Sequence, residues 1–182
     1  MVNDLDLSVV VLCPERNMGG LKGTVGSVKH HFYEGRDVIC VTAGNATAEE
    51  VKEMKTFCPT YKGKDTITSL INVGMKKIKT EWGFLVYAGS CVRPYLERKL
   101  YYFVDSPKDI LFPIVDRKMN FVEGSSNGIL INKATFKEVG DFPEGVMYKA
   151  GSNDFELAKL LWTIDAMKCG CKFKGIVGLR II

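Results

Sequence analysis

The stretch "GSNDFELAKLLW", residues 151–162, holds the residues best placed by type and spacing to do chemistry. Asp154 and Glu156 fall in the first turn of a helix that Asn153 can cap. Two readings of Asp154 stand side by side. Acids at a helix start complement the positive end of the helix dipole. A carboxylate that projects from a helix start into a cleft can also take a proton as a general base. Other catalytic patterns fail on spacing. "GGLKGT" and "YKGKDT" do not satisfy the phosphate-loop pattern, and no GxGxxG follows the first apolar run. No GxSxG elbow occurs, and Ser90 has no suitably placed histidine. His30 and His31 are neighbours on a predicted helix, are expected to point different ways, and make no metal pair. Lys62, Lys64, Lys76, Lys77 and Lys79 lack interleaved aromatics and read as a solvated face, so nucleic acid has no strong case.

A cleft needs elements to frame it. "LSVVVLC" (7–13) is a β-branched run stopped by Pro14, the pattern of a buried strand. Leu21, Val25, Val28 and Phe32 then recur at helical spacing. "DVICVTAGN" (37–45) predicts a second buried strand, and Thr47 to Glu50 a capping box opening a helix through about Lys55. "CPTYKGK" is a loop or short strand, and residues 65–78 form a helix with Ile67, Leu70, Ile71, Gly74 and Ile78 on one face. "FLVYAGSCVRP" (84–94) reads as a strand ending in a tight turn, with Pro94 opening a helix that bears Leu96, Leu100 and Phe103. "DILFPIV" (109–115) is a strand that Pro113 assigns to an edge. "NGILIN" is another, followed by a short helix from Asn132 to Gly140. The last helix is expected to turn Leu157, Leu160, Leu161 and Ile164 inward, and "CKFKGIVGLRII" to close the chain as one or two strands. This order predicts an α/β fold: a mixed, mainly parallel sheet with helices on both faces, in one domain over residues 1–182. Ligands then belong at the strand ends Cys13–Asn17, Thr42–Asn45 and Tyr87–Ser90.

Composition narrows the class. The chain has 182 residues, is 46% hydrophobic and 25% charged, and carries a net charge of +4, which mildly favours anionic ligands. No apolar run approaches membrane-spanning length, and the acids of "MVNDLDL" argue against a signal peptide. The six cysteines include Cys13, Cys40 and Cys91 in or beside apolar runs, and no pair of zinc-type motifs occurs. A reduced, cytoplasmic chain is the expectation.

Taken in order, these motifs resemble those of family 2 glycosyltransferases, with the GT-A fold, a Rossmann-related sheet. "LSVVVLCPERN" is similar to the family's opening strand and polar stretch, and "LKGTVGSV" to its first helix. "VTAGN" stands where the family has "VDDGS", keeping Gly44 and losing both acids. "LINVG" keeps Asn72 and Gly74 of the family's "ARNxG". Tyr87-Ala88-Gly89 occupies the place of the DxD motif, with Pro94 retained. "VGDFPEG" and "NDFEL" match the family's "VGGFDE" and "ED", so Asp154 falls on the usual catalytic aspartate. The likeness spans roughly residues 7–178, and by this resemblance the chain would be a nearly minimal version of the fold.

The resemblance implies an inverting transfer of a sugar from a nucleotide diphosphate sugar, UDP-linked in most such enzymes, to a hydroxyl of a glycan or other acceptor, with Asp154 as base. Pro14, Glu15 and Arg16 would flank the nucleobase, Thr42 and Gly44 the nucleoside, and Lys64 and Ser69 its far side. Tyr87, Ala88, Gly89 and Arg93 would approach ribose and phosphates. The family uses Mn²⁺ or Mg²⁺ held by the last DxD acid, which is Gly89 here. Three answers remain open. Another acid binds the metal (Asp116, Asp154 or Glu15), or cations such as Arg16, Lys64, Arg93 or Lys149 take its place, or the domain binds a nucleotide sugar or carbohydrate without transferring it. An unrelated α/β domain, such as a nucleotidyltransferase or an RNA-binding protein, is a further alternative.

Overall fold

A computed structural model describes residues 5–15, 17–32, 35–114, 127–145 and 155–177. Its elements run β1 (Leu7–Cys13), α1 (Met18–His31), β2 (Asp37–Thr42), α2 (Ala48–Met54), β3 (Thr60–Lys62), α3 (Ile67–Lys77), β4 (Trp82–Tyr87), α4 (Leu96–Phe103), β5 (Asp109–Ile114), β6 (Ile129–Asn132), α5 (Lys133–Val139), α6 (Phe155–Lys168) and β7 (Lys172–Val177). The seven strands form one sheet in the order β3-β2-β1-β4-β6-β5-β7. β6 runs antiparallel to both neighbours and the other pairs are parallel. A mainly parallel sheet must be covered on both faces, and it is. Leu7, Val9, Val11 and Cys13 of β1 pack with Leu21, Val25 and Val28 of α1 and Leu96 and Leu100 of α4. Val10 and Leu12 point to the other face, where Leu70, Ile71 and Met75 of α3, Phe136 of α5 and Trp162 of α6 meet them. Gly74 lets α3 approach β1 closely, because a Cβ there would overlap the Val10 side chain.

The helix ends follow local chemistry. Asn17 caps α1 by accepting from the Gly20 N–H at 2.8 Å. The Thr47–Glu50 capping box is present in both directions. Asn132 caps α5, which stops at Gly140 with φ 97°.

Four expectations are corrected. Pro113 does not mark an edge: β5 lies between β6 and β7, and the proline is tolerated because, among the described residues, pairing with β6 is confined to Leu111↔Leu130. Pro94 does not open α4; the helix starts at Leu96, after Tyr95 in a left-handed conformation (φ 65°), and Phe103 at its end is exposed. The rings of His30 and His31 do not diverge but meet edge to face at 4.6 Å. The buried face of α6 is Ala158, Lys159, Trp162, Thr163 and Ala166; Leu160, Leu161 and Ile164 are turned outward. Trp162 decides that orientation. It stacks on Phe142 at 4.4 Å and donates from Nε1 to the Gly140 carbonyl at 2.8 Å, and a buried indole N–H needs such a partner.

Candidate functional site at the strand ends

The chain runs from β1 outward through β2 and β3, then returns to place β4 on the other side of β1. That reversal leaves a crevice beyond the carboxyl ends of β1 and β4. A cavity of about 370 Å³ lies there, lined by Cys13, Pro14, Glu15, Asn17, Ile67, Tyr87 and Ala88. This is the lower part of the size range of small-ligand sites.

The wall beyond β4 is a fixed turn. The Ala88 N–H donates to the Leu12 carbonyl at 2.8 Å, and the Ser90 N–H to the Tyr87 carbonyl at 3.0 Å. Gly89 sits at φ 100°, a region that glycine enters without steric cost. Its N–H donates to Thr24 Oγ1 at 3.0 Å, while the same hydroxyl donates to the Ser90 carbonyl at 2.7 Å. One residue of α1 thus holds both peptides of the turn. Gly20 completes the contact, since a Cβ there would stand 2.7 Å from the Gly89 nitrogen. Asn127 closes the other side, accepting from the Tyr87 N–H at 2.9 Å and donating to Ser90 Oγ at 2.8 Å.

The predicted site residues separate into groups. Pro14, Glu15, Tyr87 and Ala88 line the cavity, and Gly89 adjoins it. Thr42 is buried at the end of β2 and donates to the Cys13 carbonyl at 3.3 Å, so it shapes the floor beside the cavity. Gly44 permits close approach of two loops: a Cβ there would lie 2.8 Å from the Gly63 carbonyl oxygen. The buried Ser69 hydroxyl accepts from the Lys64 N–H at 2.9 Å. Lys64 Nζ reaches Glu144 at 2.7 Å. Arg93 is exposed and outside the cavity lining; the preceding Val92 N–H is tied to Ser27 Oγ at 3.2 Å, further along α1. Arg16 and Asp154 lie outside the described residues, as do Asp116 and Lys149.

A second polar node stands over the start of α3. Asn72, buried on α3, accepts from the Phe142 N–H at 2.8 Å and donates to the Phe142 carbonyl at 2.9 Å and to Glu144 at 3.3 Å. Lys64 beside Glu144, helped by Asn72, holds its carboxyl below the usual range despite partial burial. Sequence reasoning kept Asn72 as a motif residue but missed Glu144, Asn127 and Thr24. Asn127 stands in an Asn-Gly pair that signals only a turn, and Thr24 in a helix whose pattern speaks for its apolar face.

The described residues do not fit a divalent metal. Glu15 is the one carboxylate among the cavity's lining residues, Gly89 offers no ligand, and no cluster of three metal-ligating side chains occurs among the described residues. Cys40 and Cys58, in the core on the α1 face of the sheet, are not activated thiols. Cys40 is pushed far up by the neighbouring Cys13 thiol and by burial, and Cys58 is pushed up to about 11 by burial. All six cysteines are free, and no described helix is long and apolar enough to cross a membrane.

This is a glycosyltransferase-like α/β fold. Among solved structures, the chain is similar to TarS of S. aureus, a glycosyltransferase, with a TM-score of 0.64 at 14% identity. The match covers 97% of this chain and 36% of TarS, so the chain spans about a third of that protein's length. No family model matches, and no curated protein matches.

Proposed function

We propose that the chain binds the nucleotide of a nucleotide diphosphate sugar in the cavity between β1 and β4 and transfers the sugar, with inversion, to a hydroxyl of a glycan or other acceptor. The observation that carries this reading is the cavity's place at the reversal point of a glycosyltransferase-like sheet. Pro14 and Glu15 would border the base, Tyr87 and Ala88 the ribose, and the fixed Gly89 turn would give the diphosphate close access to backbone. Lys64, on the loop beyond β3, would supply positive charge to the leaving diphosphate by exchanging its Glu144 partner. The acceptor oxygen attacks the anomeric carbon, the bond to the diphosphate oxygen breaks, and Asp154 takes the hydroxyl proton. A base of this kind is worth roughly 10² to 10⁴ in rate.

The test has two arms. Calorimetric titration with UDP and UDP-sugars, with and without Mn²⁺, is expected to show saturable binding; no heat with any sugar nucleotide refutes the site. UDP release from a bound donor is expected to fall at least 100-fold in Asp154→Asn, and unchanged turnover removes Asp154 as base. A second reading, a binding relative that no longer transfers, draws on the bare Gly89 and the lone carboxylate of the cavity lining. Binding without measurable UDP release in the parent chain decides for it.

A further inference from the structure

The outer face of α6 runs against the usual burial rule. Lys159 is 2% exposed, whereas Leu160, Leu161, Ile164 and Met167 are 40%, 39%, 43% and 63% exposed. These four account for more than half of the exposed large hydrophobic residues among those described. Trp162 and Ala166 fix the inner face, so a rotation that hid the leucines would pull the indole out of its stack on Phe142. A helix apolar on both faces is the pattern of a helix buried on both faces.

The spacing of the outer face suits a second copy of the same helix. Leu157, Leu160, Ile164 and Met167 are separated by three, four and three residues, a heptad seam that reads the same in either direction. Such a seam is complementary to its own reverse. We propose that α6 is the centre of a two-fold homodimer in which two copies of the helix pack antiparallel. Leu160 then packs against Ile164 of the partner subunit, and Leu157 against Met167 of the partner subunit. Leu161, on the flank of the seam, meets its own copy across the dyad. The antiparallel arrangement also sets the acidic end of the helix, with Glu156, against the end carrying Lys168, and opposes the two helix dipoles. A parallel pair would set like ends together. The contact is isologous, so it closes at two subunits. The seam is about 15 Å long, short of a standard interface, as in weak and reversible contacts.

The test is sedimentation velocity of the full chain from about 1 to 300 µM. A reversible monomer–dimer equilibrium is expected, and a monomer throughout overturns the proposal. Leu160→Glu and Ile164→Lys, both on the outer face, are each expected to leave the melting curve in place and to weaken self-association at least tenfold. Mixing these two variants is expected to restore a dimer, because the antiparallel seam sets the new glutamate against the new lysine. Unaltered association in the single variants overturns the seam, and a mixture that stays monomeric overturns the antiparallel arrangement. None of these readouts depends on nucleotide binding or turnover.

Discussion

Replacing Asn72 by alanine tests how the segment after α5 is held. One side-chain amide satisfies both the N–H and the carbonyl of Phe142, a residue with no exposed surface. Alanine removes both partners at once. Each buried backbone group left without a partner costs about 1–3 kcal/mol, so the variant should lose roughly 2–6 kcal/mol. That is a large share of the stability of a domain of this size. Asn72→Asp separates the two bonds. It keeps the acceptor for the Phe142 N–H but turns an oxygen toward the Phe142 carbonyl and Glu144, where the amide had donated. At neutral pH it should be at least as damaging as alanine, with partial recovery as the new carboxyl is protonated. Urea unfolding gives the energies, and hydrogen exchange at the Phe142 amide gives the local opening. A loss below about 1 kcal/mol in Asn72→Ala, with Phe142 still protected, would refute the clamp. The effect bears on the site because residues 140–145 lead in sequence to Asp154, so their anchor sets where that segment departs.

Further outcomes follow from other side chains. Burial lowers the pKa of Lys159 from 10.5 to about 8, so folding releases a proton between those values. The cost of burying its charge is therefore fully present below pH 8 and fades as pH rises toward 10.5. In Lys159→Met that cost is absent, and the stability difference between parent and variant should move by about 3 kcal/mol in the parent's favour across this window; parallel curves would contradict it. Gly23 and Gly26 face open space on α1 with ordinary backbone angles, so alanine at each should raise stability by about 0.5–1 kcal/mol. Gly74→Ala should instead lower the melting temperature by several degrees, because Val10 occupies the space. Ala88 lines the cavity and also packs against the core between the sheet and α1, so Ala88→Leu should weaken UDP binding at least tenfold and also lower the melting temperature by several degrees.

The apolar runs made the parallel half of the fold legible. Six residues of "LSVVVLC" divide between two cores, and the run could be nothing but a strand covered twice. The caps at Thr47 and Asn132 were legible because their side chains act within three residues. What escaped depends on partners far along the chain. The orientation of α6 turns on a stack between Trp162 and Phe142. Pro113 reads as an edge until the pairing of β5 with β6 is seen to be, among the described residues, a single residue long. At the site, Pro14, Tyr87 and Ala88 could be placed from strand ends alone. Asn127 could not, because it reaches Tyr87 across 40 positions.

Thr24 carries a lesson for finding kin of this chain. Its single hydroxyl accepts from the Gly89 N–H and donates to the Ser90 carbonyl, so valine, which matches its outline, would unlatch the rim in two places, whereas serine would keep it shut. A search keyed to acidic signatures passes such a molecule by. One keyed to a hydroxyl midway along the first helix, with a glycine at the turn it grips, would gather relatives by how the rim is fastened.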